Sequence, residues 1–170
     1  MKRYFNYLSP MVLFIAFLLD AQLSTLLSNL APGTVSITSY LLFITGMYII
    51  DKINLTYSLI LFSILGVIYD IYYLDILGIS TTLFPLIIYI VYYFTTKIHL
   101  NRWISLMILV VMIFSFEFTS FALARLFQLT NLSMFIFVVY NLLPSLLYNL
   151  FFLFIFYPLF KKSFVITDKT

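Results

Sequence analysis

Six stretches of apolar residues alternate with short polar breaks along the chain, running roughly over residues 10–27, 34–50, 55–69, 79–94, 104–127 and 132–160. Each has the length, or nearly the length, of a membrane-crossing helix. A transmembrane β-barrel would need segments of about ten residues alternating in polarity, whereas these runs are apolar on every side, so helices are predicted. The third run is the shortest, and its residues at about 1.5 Å each fall short of a hydrocarbon core about 30 Å thick, which predicts that the helix extends past Tyr69. The last run is overlong and carries Asn141, Pro144, Asn149 and Pro158. A kink is predicted near Pro144, because proline lacks a backbone donor and clashes with the preceding turn.

Composition narrows the class. Of the 170 residues 64% are hydrophobic and only 9% charged, too apolar for the surface of a water-soluble domain. The expectation is an all-α polytopic integral membrane protein, one six-helix bundle over residues 1–170. Cysteine is absent, which removes disulfides, iron–sulfur clusters and thiol catalysis.

The placement of charge gives an orientation. Lys2, Arg3, Lys52, Lys97, Arg102, Lys161, Lys162 and Lys169 fall at one end of the predicted bundle, leaving Arg125 as the lone cation at the other. By the positive-inside rule both termini are expected in the cytoplasm, which requires an even number of spans. Tyr48, Tyr57, Tyr92, Tyr93 and Trp103 then mark the cytoplasmic interface, and Tyr69, Tyr72 and Tyr73 the outer one. Lys2 and Arg3 followed by an apolar run resemble the start of a signal peptide. The run is longer than the 7 to 15 residues usual for such a region, and Asn29-Leu30-Ala31 before Pro32 lacks a small-x-small cleavage pattern, so the first run is read as a retained helix.

Candidate chemistry is sparse. His99 is the single histidine, lies in a basic break and has no acidic or cysteine neighbour at metal-ligand spacing. No nucleophile elbow, zinc-protease or phosphate-loop motif occurs. No cofactor, metal or nucleic-acid site is expected, and an enzyme is disfavoured.

The intramembrane polar groups remain. Asp20 and Glu117 lie within the first and fifth runs, where a charged side chain at a helix centre costs about 2.5 to 3.5 kcal/mol on an insertion scale. Each carboxylate is either protonated or wetted near the headgroups, or else makes a polar contact inside the bundle or with a partner helix. Arg125 lies about 12 Å from Glu117 along a straight helix, too far for a direct salt bridge. It is expected to snorkel outward or to pair with a carboxylate of another helix, such as Asp20 or Asp70. Asn141 and Asn149 are read as interhelical hydrogen-bonding groups.

The most distinctive stretch runs from Gly66 to Gly78. Gly66 and Asp70 are one helical turn apart, so the missing side chain lets a neighbouring backbone approach the face from which Asp70 projects. Gly78 permits the backbone geometry of re-entry into the membrane. The pattern Gly66-Val67-Ile68-Tyr69-Asp70, a brief loop, then Leu77-Gly78-Ile79-Ser80-Thr81, in a short polytopic chain with basic ends, resembles the bacterial rod shape-determining protein MreD family. The resemblance implies a scaffold of the cell-elongation complex in the cytoplasmic membrane. It implies association with the single-pass partner MreC, and linkage to the actin-like MreB where present and to the peptidoglycan-synthesising RodA with its penicillin-binding protein. It also implies a fold similar to the substrate-binding subunits of energy-coupling factor vitamin transporters, and no catalytic residues.

That fold likeness supplies the rival reading, a vitamin-binding transporter subunit. It would require a polar and aromatic pocket and a small-residue docking face; non-aromatic polar groups are few here, and the first run has no A-x-x-x-A face. An intramembrane enzyme would require Asp20, Asp70 and Glu117 to meet around a water-filled cavity. Asp20, Gly66, Asp70, Gly78, Glu117 and Arg125 are therefore the expected structural or partner-contact residues.

Overall fold

A computed structural model describes residues 2–30, 35–74, 77–98 and 100–165, and no strand occurs among them. A chain this apolar has no water available for its amides, so the backbone must satisfy itself, and helices do so within one segment. The first helix, α1, spans Lys2–Leu30; α2 spans Leu41–Ile49 and ends in a 3-10 turn, Ile50–Lys52; α3 spans Leu55–Tyr69 and widens into a π-turn, Asp70–Leu74. After it come α4 (Ile79–Thr95) and α5 (Arg102–Leu126), then α6 (Met134–Phe137), which passes through a second π-turn, Val138–Leu142, into α7 (Leu143–Val165). Among the described residues four stretches are long and apolar enough to cross a membrane: Leu8–Leu30, Leu55–Tyr73, Arg102–Leu126 and Met134–Ser163. The third run does continue past Tyr69, as its shortness predicts. The described residues form an all-α bundle with several helices of membrane-crossing length.

The second run departs from the uniform helix expected over 34–50. Only Leu41–Ile49 is α-helical, and the described residues before it, Val35 to Tyr40, are not helical. The local cause is composition. Val35, Ile37 and Thr38 are β-branched and lose rotamer freedom in a helix, while Ser36, Thr38 and Ser39 offer hydroxyls that compete with helical backbone bonding.

Every residue of α2 is buried. A helix apolar on all faces belongs inside the protein rather than against solvent or lipid alone, and α2 accordingly forms the axis around which the longer helices gather. Phe43, Ile44 and Met47 pack there with Phe62, Phe84, Ile88, Leu109, Met112 and Ile113. Aromatic rings tie the layers together. Phe43 meets Phe84 at 5.3 Å and Phe116 at 5.6 Å, and Tyr69 meets Phe84 at 5.3 Å and Phe116 at 5.7 Å. The outer faces of α1, α5 and α7 carry the exposed Leu, Ile, Met and Phe side chains that lipid would cover.

Candidate functional site

Gly66 and Asp70 act together on the start of α4. A Cβ at Gly66 would lie 2.6 Å from the Ser80 carbonyl oxygen and 2.8 Å from Thr81 Cα, so only glycine lets the two backbones come this close. One turn further on, the Asp70 carboxylate is fully buried and accepts hydrogen bonds from the Gly78 amide at 2.8 Å, the Ser80 amide at 2.7 Å, the Thr81 amide at 3.0 Å and the Thr81 hydroxyl at 2.7 Å. The first amides of a helix have no partners inside it and form the positive end of its dipole, which makes a carboxylate their best acceptor. Gly78, at φ 122°, occupies a region closed to most side chains and turns the chain so that those amides point back at Asp70. The expected acidic turn is thus a buried helix cap supplied from the preceding helix.

A second cap of the same kind lies deeper in the bundle. Tyr40, the residue before α2, supplies no side-chain cap of its own. Asp20 of α1 does so instead, accepting the Leu41 amide, the Leu42 amide at 2.7 Å and the Ser39 hydroxyl at 2.6 Å. The non-helical residues before α2 are held from both sides. Ser24 Oγ accepts from the Ser39 amide at 2.9 Å, and Ser145 Oγ from the Thr38 amide at 3.0 Å. Asn149 accepts the Tyr40 amide at 2.8 Å and donates to the Thr38 carbonyl at 2.8 Å and the Ser145 carbonyl at 2.7 Å. Irregular backbone at membrane depth survives only when buried in protein and fully partnered, and α1 and α7 supply those partners.

Pro144 contributes by omission. In a regular helix the amide of residue 144 would bond to the Tyr140 carbonyl, but proline has no such donor. The helix widens into the π-turn at Val138–Leu142, and the Tyr140 carbonyl accepts from the Ser36 amide at 2.9 Å.

Glu117 is buried on α5 and accepts from the Tyr40 hydroxyl at 3.0 Å. It therefore joins the second cluster through Tyr40. Arg125 is exposed in the last turn of α5. Asp20 and Asp70 take their hydrogen bonds from backbone amides and hydroxyls rather than from Arg125. His99 lies outside the described residues. Asn149 was legible as an interhelical group, whereas Ser24, Ser36, Ser39, Tyr40 and Ser145 gave no signal beyond the run of hydroxyl and β-branched residues before α2.

Beside this second cluster is a cavity of about 450 Å³, walled by Asp20, Ser24, Thr25, Ser28 and Asn29 of α1, by residues 36–40, and by the rings of Phe17, Tyr69, Tyr73 and Phe84. It is larger and more polar than the sparse polar inventory suggested. Among the described residues no three His, Cys, Asp or Glu side chains gather as a metal site.

The sequence profile of the rod shape-determining protein MreD family matches residues 1–165. The chain belongs to the MreD family. Its similarity to the cell shape-determining protein MreD of Streptococcus pneumoniae (strain ATCC BAA-255 / R6) is 32% identity over 148 residues, covering 87% of this chain and 90% of that protein. No solved structure matches it. Membership of the MreD family assigns the chain to cell-shape determination, and the Gly66–Asp70–Gly78 arrangement gives the pattern that suggested the family a physical role: it joins α3 to α4.

Proposed function

We propose that this MreD-family chain is a non-catalytic scaffold of the bacterial cell-elongation complex, that it holds an MreC-type single-pass protein, and that it thereby supports peptidoglycan synthesis by RodA and its penicillin-binding protein, with MreB linked where present. The observation that carries this reading is the use made of the intramembrane acids. Asp20 and Asp70 cap helices, and Glu117 accepts from Tyr40. Groups committed to holding the backbone and each other's neighbours are poorly placed for proton transfer to a substrate.

Because these acids face inward, the partner's helix meets the apolar exterior instead. On α1 the exposed Leu8, Met11, Ile15, Leu18 and Leu19 recur at helical spacing and offer an apolar seam. With both termini cytoplasmic, Lys52, Lys97, Arg102, Lys161 and Lys162 face the cytoplasm and the α3–α4 turn faces outward.

Affinity purification from solubilised membranes of the native host tests the proposal. Recovery of the MreC-type protein is the expected result, with Met11→Arg on α1 reducing it at unchanged protein level. The cavity supports one second reading, a small-ligand carrier, because its volume falls within the range of ligand pockets. Recovery of a bound vitamin without the single-pass protein would favour that reading and overturn the scaffold.

A further inference from the structure

At the basic end of the bundle, α5 and α7 run side by side and leave a lipid-facing groove of about 420 Å³. Its walls are Trp103 and Met107 on α5 and Leu147 and Phe151 on α7, all strongly exposed, and its floor includes the half-buried Val110 and Leu150. The lining residues fall at i, i+3, i+4 and i+7 on each helix, so the groove runs along the helices for about 10 Å, most of the roughly 15 Å depth of one leaflet.

Arg102, the first residue of α5, marks the groove's interfacial end. Its guanidinium carbon lies 5.0 Å from the centroid of Phe154, which also lines the groove, and 5.2 Å from that of Tyr157. Cation–π contact with two rings holds the guanidinium at this end of the groove, and its planar set of N–H donors is suited to phosphate oxygens. Lys161 and Lys162 are exposed at the same end, and clustered cations at a membrane surface attract anionic headgroups.

We propose that this groove holds one acyl chain of an anionic phospholipid whose phosphate is bound by Arg102. A partner helix is the competing occupant, and the lining argues against it. None of the groove residues is Gly, Ala or Ser, the small residues that allow helix backbones to approach closely in lipid. A flexible hydrocarbon chain needs only the furrow between the side chains. The positive charge at the groove's end selects an anionic headgroup over a zwitterionic one.

Native mass spectrometry tests this on protein extracted from membranes containing phosphatidylglycerol, cardiolipin and phosphatidylethanolamine. One anionic lipid retained per chain is expected, with retention falling at least fivefold in Arg102→Gln and in Val110→Phe, which fills the groove without changing charge. Arg102→Lys should retain more lipid than Arg102→Gln. Equal retention of phosphatidylethanolamine, or wild-type retention in both Arg102→Gln and Val110→Phe, would overturn the proposal. A photo-crosslinking residue at Met107 in intact membranes gives a readout independent of extraction: a lipid-sized mass adduct supports the site, and a protein-sized adduct gives the groove to a partner helix and overturns it.

Discussion

Asp70 holds the amides that open α4 from eight, ten and eleven residues away, whereas Asp20 holds those that open α2 from twenty-one and twenty-two. The chemistry is the same in both places, a carboxylate meeting the positive end of a helix whose own cap is missing. Their surroundings differ. Asp70 works inside one hairpin, where Gly66 sets the spacing and Gly78 aims the amides. Asp20 works between distant helices, and it needs Ser24 from its own helix and Ser145 and Asn149 from α7 to hold the segment it caps. The first cap closes a local unit, and the second joins the two ends of the chain.

The contrast is sharpest under substitution. Gly66→Leu should have the largest effect, because its side chain would meet α4 backbone that cannot move aside; loss of the folded, monodisperse species in size-exclusion chromatography is expected. A Gly66→Leu protein that elutes and melts like the parent would refute the close approach. Asp70→Ala should follow at about 3 kcal/mol in detergent unfolding, because it strands several buried donors at once, while Asp70→Asn keeps one acceptor oxygen and should cost roughly half as much.

Single removals at the second cap should be milder. Interhelical hydrogen bonds in membranes average about 0.6 kcal/mol, so Asp20→Ala and Asn149→Ala are expected at about 1 to 2 kcal/mol each, since each removes more than one bond. The two should couple by at least about 0.5 kcal/mol in a double-mutant cycle, because both hold residues 38–42. Strict additivity would show that the two sides of the segment are held independently. Gly78→Ala should be the smallest, about 1 kcal/mol in the same unfolding assay, since the open space around it accepts a Cβ and only the positive φ opposes it.

The same contrast explains what could be read from the sequence. Asp70 was legible because its glycines and hydroxyls lie within a dozen residues and leave a pattern. Asp20 was visible as an expensive group whose suggested partner, Arg125, is not the one it takes, because its partners include backbone amides, which every residue possesses and which no side-chain pattern reveals. The long apolar runs were legible from length alone. The broken second run was not, since Val35, Ile37 and Tyr40 are as apolar as the helical residues after them, and the decisive signal was the hydroxyl and β-branched character of the intervening Ser36, Thr38 and Ser39. Arg125 pairs with neither acid suggested for it, because amides and hydroxyls had already taken their oxygens.

The non-helical approach to α2 also has a consequence for biogenesis. A nine-residue helix is too short to cross a bilayer alone, and the amides of Ser36, Thr38 and Tyr40 find their partners on the helical stretch that carries Tyr140, Ser145 and Asn149. That stretch is synthesised about a hundred residues later, so these three bonds can form only after the last helix has been made.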